Sequence, residues 1–180
     1  MALRATVFKA EIGIADLDRH YYQDHNLILA RHPSENDERM MVRLLAFVLN
    51  ASESLEFGRG ISTDDEPALW DRDLTGSVQH WIEVGQPDER LIRRACGKAD
   101  KVTVYAFGRG VDQWWLTNSK ALGKQDKLQV WRVSPQECAD MAKLAERGMK
   151  LQCTIQDGHV MVAADSDTLQ IEPQRLTVER

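Results

Sequence analysis

Three consecutive structural elements are encoded in residues 77–107, which read Ser-Val-Gln-His-Trp-Ile-Glu-Val-Gly-Gln-Pro-Asp-Glu-Arg-Leu-Ile-Arg-Arg-Ala-Cys-Gly-Lys-Ala-Asp-Lys-Val-Thr-Val-Tyr-Ala-Phe. The first of them, Ser77 to Gly85, has side chains that alternate between two faces with a period of two residues, which predicts a β-strand. Val78, His80, Ile82 and Val84 share one face, and Gln79, Trp81 and Glu83 share the other. The pattern therefore places the carboxylate of Glu83 near the carboxyl end of an otherwise apolar strand.

The second and third elements are predicted to be a helix and a buried strand. Pro87 suits the first position of a helix, and Gly97 stands where a helix commonly ends. Residues 102–107 are apolar or aromatic on both faces, as is typical of a central strand in a parallel sheet. Because strand, helix and strand follow one another, the sequence predicts a βαβ unit and an α/β fold.

On the amino-terminal side, the sequence predicts strands, a helix and further strands. These elements are strands at 6–14 and 21–30, a helix from Ser34 to Leu49, strands at 55–61 and 67–73, and an acidic turn at 63–66. Ser34 suits the N-cap of the helix. Glu38 continues the apolar stripe of this helix by one turn, which aims a carboxylate toward the sheet. The alternative is a first-turn acid that the helix dipole favours.

The carboxyl-terminal side predicts two helices and a β-meander. The elements are a helix at 111–121, a strand at 128–133, a helix with Pro135 at its first position, strands at 150–156 and 159–164 joined by a turn at Asp157-Gly158, and a last strand near 169–172. No repeat or flexible linker divides the chain. The sequence therefore predicts one domain over residues 1–180, with a core at approximately 34–107.

Composition limits the classes of function that the chain can perform. The 180 residues carry 23 Lys and Arg against 28 Asp and Glu, a net charge of −5. This balance disfavours a function that needs a broad basic surface, such as tight non-specific binding of duplex nucleic acid, but it permits a local basic groove. Hydrophobic residues make up 43% of the chain and charged residues 28%, as in globular proteins.

The sequence also indicates a compartment. Charges at Arg4 and Lys9 interrupt the amino terminus, which argues against a signal peptide, and no apolar run is long enough to span a membrane. The three cysteines are isolated and have no C-x-x-C spacing, which favours a reducing compartment and disfavours a zinc site. We therefore expect a cytoplasmic protein without a membrane partner.

Glu83 is the most informative candidate site residue. Ligands of open α/β sheets tend to bind at the carboxyl ends of the strands, and a carboxylate there needs a cation, a donor or water as its partner. Acids that could accompany it are Glu38, Asp65, Glu66, Asp71 and Asp73. Several converging carboxylates would require a hard cation such as Mg²⁺ or Mn²⁺. The alternative is a solvated loop with one ion-paired glutamate.

Several long blocks of the sequence resemble the YaeQ family. They are Arg31-His-Pro-Ser-Glu-Asn-Asp-Glu-Arg-Met-Met-Val-Arg43, Asp64-Asp-Glu-Pro-Ala-Leu-Trp70, Trp81-Ile-Glu-Val-Gly-Gln-Pro-Asp-Glu-Arg90, Arg94-Ala-Cys-Gly-Lys-Ala-Asp100 and Leu151-Gln-Cys-Thr-Ile-Gln-Asp-Gly158. The resemblance extends over essentially the whole chain. It implies a variant of the PD-(D/E)XK (restriction-endonuclease-like) nuclease fold, with an αβββαβ core, a mixed sheet flanked by helices, added amino-terminal strands and a carboxyl-terminal β-meander. Periodicity alone predicts the same element order for residues 34–107.

The resemblance also implies a catalytic site, although one motif residue is missing. The motif (D/E)-x-K falls on Glu83-Val84-Gly85, so the acid is present and the lysine is absent. The resemblance implies a second acid beside Glu83. Glu66 is the first choice and Asp65 the second, with Asp71 and Asp73 as further candidates. The glutamate that some members carry on the first helix falls on Glu38. The lost cation would be replaced by Arg94, or by Arg93 or Lys98, although each of these also suits an exposed position near a helix end.

Two functions follow from the resemblance, and a structural role is the third possibility. The first is a metal-dependent nuclease or phosphodiesterase in which Glu66, Glu83 and Asp65 bind Mg²⁺ or Mn²⁺, with no organic cofactor. Glu38 and Arg94 would assist its catalysis. The second is a module without turnover that binds nucleic acid in a local cleft or binds a protein partner. The missing lysine removes stabilisation of the developing charge, so it weakens the case for catalysis more than the case for the fold.

Overall fold

The computed structural model describes residues 4–59, 65–165 and 167–178, which form two compact units. The first unit comprises chain segments 1–49 and 136–173, and the second comprises 50–135 and 174–180. Each contains one mixed sheet, and the described residues contain four helices in all. The predicted mixed α/β class is thus confirmed.

Helices and strands follow the predicted order over most of the chain. In chain order they are β1 (Thr6–Asp16), β2 (Tyr21–Arg31), α1 (Asp37–Asn50), β3 (Leu55–Phe57), β4 (Leu69–Arg72), β5 (Val78–Val84), α2 (Glu89–Lys98), β6 (Ala99–Ala106), α3 (Val111–Leu122), β7 (Leu128–Arg132), α4 (Pro135–Ala142), β8 (Gly148–Gln156), β9 (His159–Ala163), β10 (Thr168–Ile171) and β11 (Gln174–Leu176). From α1 to β6 the order is helix, three strands, helix and strand, as periodicity predicts. None of the helices in the described residues has both the length and the apolar character that a membrane crossing requires.

The first unit contains a five-stranded sheet in the order β10-β9-β8-β1-β2. The predicted carboxyl-terminal meander is present, since β8, β9 and β10 pair antiparallel. Its first turn has positive φ angles of 54° at Asp157 and 76° at Gly158, which suits the Asp-Gly pair. The sequence does not predict that β8 pairs parallel with β1, because these partners are far apart in the chain.

Helix α1 begins two residues later than an N-cap at Ser34 predicts, at Asp37. The Ser34 hydroxyl hydrogen-bonds to the ring of His32 at 2.6 Å, so it does not cap the helix. Asn36 performs that function, because its side-chain oxygen accepts the backbone N–H of Arg39 at 2.9 Å. Both residues are good capping types, and the local sequence does not decide between them.

A buried ion pair anchors α1 to the sheet. Arg43 and Glu35 are both buried, and the Arg43 guanidinium donates to the two carboxylate oxygens of Glu35 at 3.1 and 3.0 Å. The same guanidinium donates to the carbonyl of Ala30 in β2 at 3.1 Å. Arg39 adds a second cation to Glu35 at 3.0 Å. Burying two charges costs several kcal/mol each, so these hydrogen bonds are needed to offset the loss of water.

The second unit contains a six-stranded sheet in the order β11-β7-β6-β5-β4-β3. Strands β5, β6 and β7 are parallel, and the outer pairs are antiparallel. The predicted βαβ unit is therefore present as β5, α2 and β6. Helix α2 buries Ile92, Ala95 and Cys96 against a core that includes Trp81, so an apolar helix face covers one side of the central strands.

Several element boundaries differ from their predictions. Helix α2 begins at Glu89 because Asp88, rather than the residue before Pro87, accepts the N–H of Arg90 at 2.8 Å as the N-cap. Gly97 lies inside the helix, and the chain enters β6 directly after Lys98. Strands β3 and β4 are shorter than predicted, and the predicted strand end and turn at 60–64 lie outside the described residues. Strand β11 is not predicted.

The three cysteines are free thiols, and all are buried. Burial raises the pKa of Cys138 and of Cys153 to about 12, from an ordinary value of 9.0. Because the thiolate is the reactive form, both thiols are chemically inert in the folded chain.

We expect Glu35→Ala to lower the free energy of unfolding by about 3–5 kcal/mol, since it leaves Arg43 buried without its carboxylate. Urea denaturation followed by circular dichroism measures this change. The control is Glu11→Ala, which breaks an exposed contact with Lys150 at 4.0 Å and should cost less than about 1 kcal/mol. Equal costs for the two variants would show that the buried pair has no special role.

Candidate functional site

Glu83 lies near the carboxyl end of β5, as predicted, but it is buried. Only 9% of its surface is exposed. Its carboxylate oxygen Oε1 accepts a hydrogen bond from the indole N–H of Trp81 at 2.9 Å. A buried polar group needs a hydrogen-bond partner, so the indole both stabilises the buried acid and fixes its direction.

Trp81 holds this position because the strands pair in a defined register. Trp81 is directly opposite Trp70 on β4, and the two rings meet edge to face with centroids 6.0 Å apart. Residues two apart in a strand share a face, so Glu83 lies on the same face as Trp81 and the core covered by α2. The carboxylate is thus built into the wall of a packed core.

The register places Asp71 away from Glu83. Asp71 is paired with His80, which lies on the other face of β5. Its carboxylate accepts hydroxyl hydrogen bonds from Ser52 at 2.7 Å and Ser54 at 2.6 Å. Asp71 therefore holds the loop before β3 and does not accompany Glu83.

Asp73 lies at the opposite end of β5 from Glu83. Its backbone N–H donates to the carbonyl of Ser77, six residues before Glu83, and six residues of strand span about 20 Å. The Asp73 carboxylate accepts the hydroxyl and backbone N–H of Thr75 and the backbone N–H of Ser77. The Thr75 hydroxyl is the largest influence that lowers the pKa of Asp73 below its ordinary value of 3.8. Asp73 organises the β4–β5 turn.

Asp65 and Glu66 are at the correct end of the sheet. The register of β4 and β5, extended by one residue beyond the Leu69–Ile82 pair, places Ala68 beside Glu83. Glu66 precedes Ala68 by two residues, but its carboxylate binds the backbone N–H of Arg59 at 2.9 Å and the guanidinium at 3.3 Å. Asp65 is exposed.

The close approach of the two chain segments near Glu66 depends on a glycine. A Cβ atom at Gly58 would lie 1.9 Å from the carbonyl oxygen of Pro67, which is well inside contact distance. The Gly58 N–H also donates to the Ala68 carbonyl at 3.0 Å. The backbone at Gly58 therefore fixes where the segment carrying Glu66 can run.

Glu38 belongs to the first unit, whereas Glu83 belongs to the second. It lies in the first turn of α1 and is partly buried. Its charge is one of the influences that raise the pKa of Cys138 in α4, after desolvation. Glu38 therefore faces α4 in its own unit.

The candidate replacements for the missing lysine lie on the outer side of α2. Arg93, Arg94 and Lys98 are exposed, whereas the opposite face of the helix packs on the core. Arg93 is paired with Glu89 at 2.6 Å. In the described residues, neither Arg94 nor Lys98 has a carboxylate within ion-pair distance.

These positions bear on whether the chain could hold a metal ion. In residues 4–59, 65–165 and 167–178, no three His, Cys, Asp or Glu side chains form a group suited to a metal. Glu66 is bound to Arg59, Asp71 to two serines and Asp73 to its own turn. The donor set of the described residues does not fit the expected Mg²⁺ or Mn²⁺ site.

Gly85 shows why a lysine is difficult to place at the third motif position. Its φ angle is +100°, a conformation that residues with a side chain rarely adopt. Its N–H donates to the carbonyl of Tyr105 at 2.9 Å, which ties this turn to β6. The backbone at this position therefore suits glycine.

Comparison with known proteins identifies the family. The model of the family described as "YaeQ protein" matches residues 1–173. The chain belongs to the YaeQ family. Within it, the chain is 43% identical over 172 residues to the "Uncharacterized protein YaeQ" of Escherichia coli (strain K12), with 95% of each chain covered. It is 43% identical over 173 residues to the protein of that name in Salmonella typhi, with 96% of each covered.

Two solved structures share the fold of this YaeQ-family chain. The YaeQ protein of Xanthomonas axonopodis pv. citri gives a TM-score of 0.93 at 45% identity, covering 97% of this chain and 99% of that one. The YaeQ protein of Pseudomonas syringae gives a TM-score of 0.93 at 36% identity, covering 97% of each chain. The arrangement described above is therefore a fold of this family.

Sequence reasoning missed several partners of the candidate acids, among them Trp81 for Glu83 and Arg59 for Glu66. The same-face spacing of Trp81 and Glu83 was visible in the strand pattern, and it could have identified the indole as a donor. Arg59 gave no such signal, because its contact with Glu66 joins positions seven residues apart across a loop.

We expect Asp73→Ala to lower the urea midpoint at neutral pH, because the turn loses an ionised acceptor. The folded-state pKa of Asp73 lies below 3.8, so the stabilisation by its charge is fully present above that pH. It should disappear as the pH falls through the folded-state pKa. Urea titrations between about pH 7 and pH 2 measure the difference between wild type and variant. A difference that grows in acid would contradict this assignment.

Proposed function

We propose that this YaeQ-family chain binds nucleic acid through a basic surface of its second unit, on a nuclease-type fold that has lost turnover. The relation to the PD-(D/E)XK nuclease fold is part of this proposal. It is supported by the order of elements from α1 to β6 and by the parallel pairing of β5 with β6. The observation that carries the binding function is a row of exposed cations on α2 for which the described residues provide no carboxylate partner.

Charge in this acidic chain is strongly segregated. Residues 86–132 contain ten Lys and Arg against five Asp and Glu, a net of +5. Since the whole chain has a net charge of −5, the remainder carries −10. The basic segment belongs entirely to the second unit and includes α2, β6, α3 and β7. Such a local excess favours contact with a polyanion in a protein that is acidic overall.

The cations of α2 form a stripe along its outer side. Arg90, Arg94 and Lys98 are spaced four residues apart, so they lie on one face with a rise of about 6 Å between neighbours. All three are exposed, and no carboxylate of the described residues pairs with them. Three exposed charges in a row suit the regularly spaced phosphates of a nucleic-acid strand. Arg93 is off this row and is neutralised by Glu89.

An open cleft adjoins the amino-terminal end of this stripe. Its volume is about 620 Å³, and its lining includes Gln86, Arg90, Trp114 and Asn118. Asp88 and Glu89 also line it, but Asp88 caps α2 and Glu89 is paired with Arg93. The indole N–H of Trp114 donates to the carbonyl of Pro87 at 3.0 Å, which fixes the ring. A cleft with a cation and a fixed aromatic edge supports contact with a nucleic-acid strand at this place.

The same geometry favours binding over catalysis. Glu66 is bound to Arg59, and a left-handed glycine stands at the position of the motif lysine. Arg94, the candidate replacement, extends from the side of α2 that faces away from the core. We therefore propose no catalytic step through a metal ion.

Binding is tested with the triple substitution Arg90→Gln, Arg94→Gln and Lys98→Gln. We expect wild type to bind labelled single-stranded DNA and RNA in fluorescence anisotropy at low salt. The triple variant should bind more weakly, and its slope of log K against log salt should be smaller by about 2 to 3, since three phosphate contacts are lost.

Two controls identify the surface responsible. Arg93→Gln removes a cation that is already paired, so it should have little effect. Lys9→Gln, Lys143→Gln and Lys150→Gln remove the same total charge from exposed positions in the first unit. Equal losses in both triple variants would mean that net charge alone matters. Absence of binding by wild type would refute the proposal.

Turnover is tested by incubating DNA and RNA substrates with Mg²⁺ or Mn²⁺. We expect no cleavage by wild type, and we expect Glu83→Gln to bind as wild type does, because Glu83 is directed into the core. Cleavage that a chelator abolishes and that Glu83→Gln lacks would instead establish the nuclease and overturn the non-catalytic assignment.

A further inference from the structure

The sheet of the first unit ends on a long, regular edge strand. Strand β2 has eleven residues and, in the part of the chain that the structure describes, pairs only with β1. It contains neither proline nor lysine, its charged residues are Asp24 and Arg31, and Arg31 is paired with Asp37. Its register with β1 is unbroken from Tyr21 to Arg31. Natural proteins usually protect such edges with charges, prolines or bulges, because an open edge can pair with another strand.

Hydrogen bonds show which backbone groups of β2 point outward. The N–H groups of Lys9 and Leu17 donate to the carbonyls of Arg147 and Ile155, at 2.8 Å each. Both carbonyls lie on the side of β1 that faces β8. Odd-numbered residues of β1 therefore bond toward β8, and even-numbered residues bond toward β2. Since each even residue of β1 is paired with an odd residue of β2, the even residues of β2 direct their N–H and C=O groups to the open edge.

A side-chain contact agrees with this alternation. The carbonyl of Ala30 accepts from the guanidinium of Arg43, so it cannot point toward β1. The other even-numbered residues, for which the described residues provide no backbone partner at this edge, are Tyr22, Asp24, Asn26 and Ile28.

The side chains of these residues also face solvent. Tyr22 is 56% exposed and Ile28 is 66% exposed, which is high for large apolar residues. Asp24 and Asn26 lie between them and are exposed as well. The edge therefore combines open hydrogen-bonding groups with two apolar side chains.

We propose that β2 pairs antiparallel with β2 of a second copy of this chain, about a two-fold axis at His25. In this register Tyr22 is opposite Ile28 of the second copy, and Asp24 is opposite Asn26. The four resulting pairs use every open group from Tyr22 to Ile28 and form about eight backbone hydrogen bonds. The aromatic–aliphatic pairs bury exposed apolar surface, and the Asn26 amide donates to the Asp24 carboxylate.

Neighbouring registers are less favourable. A shift of two residues toward the amino terminus places Asp24 opposite Asp24 of the second copy, and like charges in that position repel. A shift of two residues the other way requires the carbonyl of Ala30, which Arg43 already uses, and places Asp24 opposite Ile28. A shift of one residue pairs open groups with groups already bonded to β1. Among these registers, only the one centred on His25 uses every open group from Tyr22 to Ile28 and places no like charges opposite each other.

His25 itself is compatible with the axis. Its ring accepts or donates a hydrogen bond with the Tyr21 hydroxyl at 2.7 Å and meets Phe47 edge to face. Desolvation lowers the pKa of His25 below its ordinary value of 6.5, so the two rings near the axis are neutral at about pH 7.

Sedimentation velocity over a wide range of concentration tests the proposal. We expect wild type to associate reversibly to a dimer, with a dissociation constant on the order of micromolar for so small an interface. Ile28→Lys should weaken dimerisation by about tenfold or more, since the axis places the substitution in the interface twice. The matched control is Met161→Lys on β9, where the side chain is 50% exposed and far from the edge in the sheet order; it should leave the dimer intact.

The register is tested by exchanging charges. Asn26→Asp places two carboxylates opposite each other and should weaken the dimer. Adding Asp24→Lys should restore it, because an ammonium then faces each new carboxylate. Circular dichroism confirms that each variant is folded. Failure of the second substitution to restore association would overturn the register centred on His25.

Either of two results would contradict dimerisation itself. A wild type that remains monomeric up to about 500 μM, or a dimer that Ile28→Lys leaves unchanged, contradicts pairing through β2. The open edge would then be left to an extended segment of another protein.

Discussion

The pairing of Trp70 with Trp81 across β4 and β5 is the constraint on which the candidate site depends. Because side chains alternate along a strand, this one pair decides the face of every neighbouring residue. It brings Trp81 and Glu83 together on the core side and turns Asp71 to the other side. A carboxylate directed into a packed core needs a fixed donor, and the indole provides it.

The distribution of charge separates the two functions that the YaeQ family resemblance suggests. Among the acids that could have formed a metal site, Glu66, Asp71 and Asp73 are held by nearby donors, and they stabilise turns and loops. The cations of α2, in contrast, extend into solvent without partners among the described residues. A surface attracts anions when its carboxylates are paired within the protein and its cations remain open to solvent. We therefore favour binding over catalysis.

The sheets of the two units differ in the length of their edge strands. In the second unit the edges are the three-residue strands β3 and β11, which offer few open groups. In the first unit the edge is the eleven-residue β2, held at one end by the buried Arg43–Glu35 pair. Since Arg43 occupies the Ala30 carbonyl, this ion pair both anchors α1 and limits where another strand could pair.

The sequence by itself determined the type and order of most elements, because periodicity and turn residues are local signals. It identified β5, β6 and the Asp157-Gly158 hairpin, and it placed Glu83 at the end of its strand. The choice between Ser34 and Asn36 as a cap, the parallel pairing of β1 with β8, and the existence of β11 were decided only by tertiary structure. The same holds for the partners of the candidate acids, since register and loop approach join residues such as Arg59 and Glu66, or Asp71 and Ser52, that no local pattern connects. Periodicity fixes which way a side chain points along its own strand, whereas only the packed chain decides what it meets there.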